Sequence, residues 1–232
     1  MRSGVRLVSP FLFFVLVFHV AGCRTWPRQL EPAGYPAESP GVRVAFDYAR
    51  DSTNEAWQDG FGFSFEYQQD FTPFIGGFAG LGYQTFLGEK VGPPGDRHRV
   101  DDLQLVPFYL GLVGRLPFWL DWKKWQEEKE PVWLPNEPIG FAPYVRLSGG
   151  AAWLVDIAKV KTGGQKHRVL DYQLLPLLKA ALGLEYRLKN LGFWAEAGYR
   201  YLRIMNTEDG LPFKEHNLDG LSLSAGVTFY LW

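Results

Sequence analysis

Residues 170–201 read LDYQLLPLLKAALGLEYRLKNLGFWAEAGYRY. In the first half of this stretch, apolar residues occupy alternate positions: Leu178, Ala180, Leu182, Leu184, Tyr186 and Leu188. The positions between them include Lys179, Gly183, Glu185 and Arg187. A period of two residues is that of a β-strand, whose successive side chains point to opposite faces. The alternation resumes after the short link Leu188–Leu191, which predicts two antiparallel strands joined by a tight turn.

The same alternation recurs along the chain and predicts about eight strands. Their apolar faces lie in the segments Val42–Tyr48, Phe61–Tyr67, Phe74–Phe86, Gln104–Leu112, Phe141–Ile157, Leu170–Leu188, Phe193–Tyr201 and Leu221–Leu231. A second short link is Gln69–Thr72, whereas the longer polar links are Asp51–Gln58, Gly88–Val100, Lys159–His167 and Asn206–Asn217. Short turns at one end and long loops at the other are typical of closed antiparallel barrels that cross a membrane.

The composition favours a barrel with one lipid-facing surface. Aromatic residues make up 16% of the chain, with nine Trp, eleven Tyr and eighteen Phe. Such rings gather at the two borders of a membrane barrel. The net charge of −1 provides no basic field, which argues against a nucleic-acid partner. Four prolines near strand starts lack an N–H donor and are expected at strand ends or bulges near the rim: Pro73, Pro107, Pro143 and Pro176.

The first 40 residues are typical of a targeting segment and a tether. Arg2 and Arg6 precede the apolar run Phe11–Val20, and residues 20–23 read VAGC. This motif resembles the lipobox of bacterial lipoproteins, which implies cleavage before Cys23 and attachment of lipid to its thiol. Arg24 follows the cysteine, as in the class sorted to the outer membrane. We therefore predict a signal peptide over 1–22, a Pro-rich periplasmic tether over 23–40 and a barrel over 41–232.

The polar faces decide which side of each strand would meet lipid. They combine charged residues with small ones such as Ala142, Ser148 and Gly150, whereas a solvated surface would carry Lys, Glu and Thr. Small residues beside a few charges suit the lumen of an eight-stranded barrel, which side chains just fill. A soluble lipocalin-like barrel, with its apolar residues inward, is the alternative. The Gly-x-Trp signature of lipocalins is missing near the first strand.

The predicted lumen carries charges that nearly cancel. Six basic and five acidic residues lie on the polar faces: Arg43, Arg115, Arg146, Lys179, Arg187 and Arg200 with Asp47, Glu66, Asp156, Glu185 and Glu196. An unpaired buried charge is costly, so we expect these residues to form one ion network.

Over about residues 41–232 the chain resembles the small outer-membrane barrels of the OmpA type in its strand pattern. Its end, LSLSAGVTFYLW at 221–232, is similar to the C-terminal signal by which such barrels are recognised for assembly. Trp232 departs from that signal, because it is out of phase with the apolar set that ends at Leu231. The resemblance implies an all-β, closed, antiparallel transmembrane barrel that contacts membrane lipid and the outer-membrane assembly machinery.

No catalytic or metal-binding motif stands out. His98, His167 and His216 fall in predicted loops without metal-ligand spacing. The region 201–208 lacks the His-x-Ser pair of lipid A deacylases. The Trp-rich link Phe118–Pro138 predicts either a short interfacial helix or an insertion that caps the barrel end. We therefore expect a non-enzymatic surface or structural protein without cofactor or metal, with a lipid A-modifying enzyme or a narrow channel as alternatives.

Overall fold

The computed structural model describes residues 40–51, 57–72, 74–91, 98–99, 102–118, 139–155, 159–162, 165–168, 174–188, 190–203 and 218–231. The predicted signal peptide, Cys23 and nearly all of the tether lie outside these residues. The twelve strands are β1 Pro40–Asp51, β2 Trp57–Asp70, β3 Ile75–Gly88, β4 Lys90–Val91, β5 His98–Arg99, β6 Leu103–Arg115, β7 Ile139–Leu154, β8 Lys159–Thr162, β9 Gln165–Arg168, β10 Leu174–Leu188, β11 Leu191–Leu202 and β12 Gly220–Tyr230. Among the described residues, no helix is long and apolar enough to span a membrane.

Eight long strands form one closed barrel in the order β1-β12-β11-β10-β7-β6-β3-β2. Every neighbouring pair is antiparallel, including β1 with β12, which closes the cylinder. The prediction of an all-β closed antiparallel barrel of about eight strands is thus confirmed.

The stagger of the strands follows from their registers. A path through paired residues starts at Gly41 on β1 and returns to β1 at Asp51, ten residues further along, through Gln68, Phe78, Gly111, Ser148, Lys179, Arg200 and Gly220. A barrel with such a stagger has strands tilted by roughly 35–45° to its axis. Inward residues of neighbouring strands therefore meet at heights that sequence position alone does not reveal.

The two ends of the barrel differ. At the turn end, residues 71–74 join β2 to β3 and residues 189–190 join β10 to β11. The Trp-rich link between β6 and β7 also belongs to this end, but residues 119–138 lie outside the described part. At the loop end, two of the predicted loops contain hairpins, β4 with β5 and β8 with β9. The second of these flanks the dipeptide Gly163-Gly164, which is a two-residue hairpin signal.

Two of the four prolines lie further inside their strands than expected. Pro107 and Pro143 are each the fifth residue of their strands. The pairing of β3 with β6 has a gap between Leu81↔Phe108 and Gln84↔Leu105, where Pro107 offers no N–H. Pro176 lies next to the last β10–β11 pair, Leu177↔Leu202. Pro143 lies likewise next to the last β6–β7 pair, Arg115↔Tyr144. Pro143 and Pro176 thus fit the prediction of a position near a ladder end, and Pro73 lies outside the described residues.

The apolar face of each long strand points outward, as the alternation predicted. On β10, Leu182 is 66% exposed whereas Glu185 is 3% exposed. On β12, Phe229 is exposed whereas Thr228 is fully buried. The opposite phase, which a lipocalin-like barrel requires, is therefore wrong for these strands.

Candidate functional site

The inward side chains form three layers, and the barrel lumen is the candidate site. The turn-end layer comprises Gln68, Asp70, Arg115, Glu185, Arg187 and Tyr230. The central network comprises Arg43, Asp47, Ser64, Glu66, Tyr109, Tyr144, Arg146, Lys179, Trp194, Glu196 and Ser224. The apolar cap, at the loop end, comprises Ala49, Phe86, Leu103, Leu105, Ala152, Leu154, Leu175, Leu177, Leu202 and Leu218.

The turn-end layer contains a short ion pair. Arg115 Nη1 lies 2.7 Å from Asp70 Oδ2, and Gln68 Nε2 donates to Asp70 Oδ1 at 3.1 Å. The Tyr230 hydroxyl donates to Glu185, while the Arg187 guanidinium lies 3.6 Å from the centre of the Tyr230 ring. All the charged groups of this layer are buried. The layer therefore holds two acids and two bases together with a ring that covers a cation.

Arg146 is the centre of the second layer. Its Nη2 lies 2.7 Å from Glu66 Oε2 and its Nη1 lies 3.1 Å from Glu196 Oε2. Tyr109 donates to the other oxygen of Glu66 at 2.8 Å, and Lys179 lies 2.8 Å from the other oxygen of Glu196. Each glutamate thus receives donors at both oxygens, which offsets the cost of burying its charge.

Arg43 joins the same two glutamates from β1. Its Nε lies 3.7 Å from Glu66 and its Nη2 lies 3.9 Å from Glu196, while Nη2 also donates to the Tyr144 hydroxyl at 3.1 Å. The Arg43 guanidinium lies 3.7 Å from the centre of the Trp194 ring. Ring contacts of this kind stabilise a desolvated cation. The central network is consequently held by rings as well as by carboxylates.

Asp47 continues the network towards the loop end through hydroxyl groups. Ser64 Oγ donates to one carboxylate oxygen at 2.7 Å, and Ser224 Oγ donates to the other at 2.6 Å. Ser224 also accepts a hydrogen bond from Lys179 Nζ at 3.1 Å. Lys179 therefore links Glu196 with the Asp47 group, and its side chain is 22% exposed.

A cavity of about 60 Å³ lies beside the central network, and Pro107 and Leu177 also line it. Its polar lining includes Asp47, Ser64 and Lys179. A volume of this size suits a few water molecules, each of which needs two to four polar partners. The cavity is thus a small chamber with both polar and apolar lining, and not a wide channel.

The apolar cap corrects the expectation of a polar lumen throughout. Phe86, Leu103 and Leu105 are fully buried on the inner side of the wall. Arg200 lies next to them, with its guanidinium 4.8 Å from the centre of the Phe86 ring. It donates to Gln84 at 2.9 Å and to the Leu218 carbonyl at 3.0 Å. The alternation does not predict the cap, because inward positions that it would make polar are apolar at this end of the barrel.

Nine of the predicted lumen residues are buried or partly buried in the layers described above: Arg43, Asp47, Glu66, Arg115, Arg146, Lys179, Glu185, Arg187 and Glu196. Arg200 lies at the border of the cap, and Asp156 lies outside the described residues. Asp70 is not among the predicted lumen residues, although it continues the inward phase of Glu66 and Gln68. Tyr109 and Tyr144, which donate to Glu66 and Glu196, are also absent from the predicted set, although they lie in phase with Arg115 and Arg146. The described residues contain no group of metal-ligating side chains.

The outer surface forms an apolar belt made of the outward residues of the eight long strands. Its aliphatic middle is half to two-thirds exposed, as at Leu110, Leu112, Leu147, Leu182 and Leu223. Outward rings lie towards the turn end at Phe71, Phe141, Tyr186, Phe193 and Phe229. Others lie towards the loop end at Tyr48, Phe61, Tyr83, Trp153 and Tyr199. The wall of β1 and β2 departs from this pattern, because Phe46, Phe63 and Phe65 place rings near its middle.

The architecture was compared with protein-family models, curated proteins and solved structures. No protein-family model matches the sequence, and no curated protein matches it. Among solved structures, the outer membrane protein OprG from Pseudomonas aeruginosa is similar with a TM-score of 0.50 at 12% identity, covering 87% of this chain and 99% of that chain. The chain shares the fold of eight-stranded outer-membrane barrels.

Two further structures are similar over comparable lengths. Neisserial surface protein A (NspA) has a TM-score of 0.44 at 16% identity, covering 84% of this chain and 97% of that chain. The N-terminal β-barrel domain of OprF from Pseudomonas aeruginosa has a TM-score of 0.41 at 14% identity, with coverage of 84% and 99%.

Proposed function

We propose that the chain is a membrane-spanning barrel of the bacterial outer membrane, anchored additionally through lipid on Cys23, with a structural or surface-interaction role and no enzymatic activity. The proposal is based on the contrast between the outer and inner surfaces of the barrel wall. Apolar side chains cover its outside, while the charged side chains pair with each other inside. A soluble barrel would expose a large apolar area to water, which soluble monomers rarely do.

The dimensions of the wall support this proposal. The eight long strands have 11 to 16 residues. A strand tilted by about 45° needs roughly 9–11 residues to cross the hydrocarbon core. The two groups of outward rings match the aromatic girdles of membrane barrels at their two interfaces. The long connections would then lie outside the cell and the short turns in the periplasm.

The layered lumen argues against an open channel as the main function. Arg43, Glu66, Arg146 and Glu196 meet at its centre, and the apolar cap follows towards the loop end. An eight-stranded barrel has an interior just wide enough for side chains to fill. We therefore expect no steady conductance when the purified protein is reconstituted into a planar bilayer.

Heat-modifiability on gels tests membrane insertion. The full chain, extracted from membranes with detergent, should migrate faster unboiled than boiled, because closed barrels resist SDS. Leu182→Arg should reduce the compact form, since a cation at mid-belt costs about 2–4 kcal/mol in lipid. Asn190→Arg is the matched control, because Asn190 is exposed in the β10–β11 turn. Recovery of Leu182→Arg in the aqueous fraction, with unchanged stability, would contradict membrane insertion.

The anchor and the assembly partner need separate tests. The Cys23 thiol should incorporate labelled fatty acid, and globomycin should block processing of the precursor. Cys23→Ser should abolish the label while the heat shift of the barrel persists. Loss of Leu231 and Trp232 should lower the assembled fraction if the last strand binds the assembly machinery. If the truncated chain assembled to the same extent as the wild-type chain, this would contradict binding of the last strand by the assembly machinery.

A further inference from the structure

The β8–β9 hairpin at the loop end has an unusual distribution of charge. Its register pairs Lys159 with Arg168 and Lys161 with Lys166. Residues that pair directly, and residues two apart on one strand, share a face of the ladder. All four cationic residues therefore belong to one face. The other face has Val160, Thr162, Gln165 and His167, and the eight described residues include no acid.

This arrangement is costly unless an anion balances it. Like charges directly opposite each other destabilise a pair of strands. The hairpin contains two such pairs, and the neighbouring hairpin contains a third, because Lys90 of β4 pairs with Arg99 of β5. Strands β5 and β8 also lie beside each other. Two loops of the same barrel thus bring like-charged pairs together at one end.

The position of the hairpin indicates which anion lies near. Lys159 is four residues beyond Val155, an exposed apolar residue at the loop-end edge of the belt. Four extended residues reach at most about 14 Å. The headgroup layer beyond the hydrocarbon core is about 5–8 Å thick on each side. The base of the hairpin consequently lies within reach of lipid headgroups.

We propose that the four-cation face of β8–β9 binds phosphate groups of a phosphorylated glycolipid in the outer leaflet. This proposal rests on the proposed membrane insertion with the loop end outward. Cations placed at a headgroup layer bind anionic lipid with an affinity that rises with each charge. The site positions phosphates beside the belt, while the acyl chains of the same lipid contact the apolar residues below.

Native mass spectrometry of the detergent-purified full chain tests this site. The probe is a bisphosphorylated glucosamine-disaccharide lipid, compared with its dephosphorylated form, with inorganic pyrophosphate and with a soluble sulfated polysaccharide. We expect the phosphorylated lipid to bind at least tenfold more tightly than the dephosphorylated lipid. Equal binding of the two lipids would overturn the proposal. Tighter binding of the soluble polysaccharide would assign the face to a soluble polyanion instead.

A rearranged variant separates the shared face from net charge. Lys161→Thr, Thr162→Lys, Gln165→Lys and Lys166→Gln together preserve composition and charge but move two cations to the opposite face. At about fivefold per cation, this variant should bind the lipid at least fivefold more weakly. Wild-type affinity in this variant would show that only net charge matters and would refute the site.

Two further variants complete the test. Neutralising all four cationic residues to Gln should lower affinity for the phosphorylated lipid at least tenfold, whereas Arg168→Lys should retain most of it. Unchanged affinity after neutralisation would also overturn the proposal. Heat-modifiability is measured for each variant and reports the barrel alone. A wild-type chain that binds the lipid without a heat shift would contradict membrane insertion, and with it the outer-leaflet location of the site, while the affinity of the four-cation face for the phosphorylated lipid would remain.

Discussion

Replacing Arg146 with methionine is the sharpest test of the central network. The Arg146 guanidinium neutralises Glu66 at 2.7 Å and Glu196 at 3.1 Å, and the side chains of these glutamates are 5% and 2% exposed. Methionine preserves much of the side-chain volume but removes the charge and both ion pairs. Breaking a buried ion pair by removing one partner costs about 3–5 kcal/mol. We expect a loss in this range, because Arg43 contacts the same glutamates only at 3.7 and 3.9 Å.

The assay is urea unfolding of the barrel in phospholipid vesicles, followed by gel mobility and by tryptophan fluorescence. Leu147→Met is the matched control, because Leu147 neighbours Arg146 on β7 but is 60% exposed on the belt. A volume-conserving apolar exchange usually costs less than about 1.5 kcal/mol. The control should therefore unfold close to wild type.

A charge-balanced double variant then tests the physical cause. Arg146→Met with Glu66→Gln removes one cation and one anion, which leaves Arg43 and Lys179 opposite Asp47 and Glu196. Residues in one network show coupling of about 0.5–3 kcal/mol, so the double variant should be more stable than the sum of the two losses predicts. Strictly additive losses, or a cost below 1 kcal/mol for Arg146→Met alone, would refute the idea of a desolvated and coupled network.

Three other changes probe the remaining parts of the lumen. Gly183→Ala should lower the free energy of unfolding by about 1–3 kcal/mol, because a Cβ there would overlap the Tyr144 ring. In a Tyr144→Ala background, which lacks that ring, the same change should cost less, as measured by the urea midpoints of the two pairs of variants. Tyr109→Phe should cost about 1.5–3 kcal/mol, because Glu66 loses a hydrogen bond to a charged acceptor; an unchanged midpoint would count against that bond. Leu154→Ala in the apolar cap should lower the free energy of unfolding by about 2–5 kcal/mol, because Leu154 is fully buried. Planar-bilayer recordings of this variant measure whether the loss of the side chain lets ions pass.

The sequence predicts the wall of the barrel well because the wall depends on a local pattern. Leu182 and Glu185 fall on opposite faces by their spacing alone, and the structure shows one exposed and the other buried. The inward charges follow from the same rule. A period of two therefore identifies both faces of a strand without knowledge of its neighbours.

The pairing inside the lumen could not be predicted in this way. Arg146 and Glu66 are 80 positions apart, and their contact depends on registers and on stagger around the whole barrel. The apolar cap could not be predicted for another reason. Leu103, Leu105 and Leu175 lie in phase with charged residues, so the alternation disappears where both faces are apolar. The apolar runs Leu105–Phe108 in β6 and Leu174–Leu178 in β10 were the available signal.

The ten-residue stagger has a consequence for how sequences of this kind can vary in length. Closure requires every register around the cylinder to agree, so away from a register shift such as the one between Trp57 and Gly60 of β2, a one-residue deletion inside a strand cannot be absorbed where it occurs. It would turn part of that strand inside out, with leucines in the lumen and arginines in lipid, or break the seam between β1 and β12. Natural insertions and deletions should therefore accumulate beyond the strand ends, and the number of residues within each strand should stay constant among homologues.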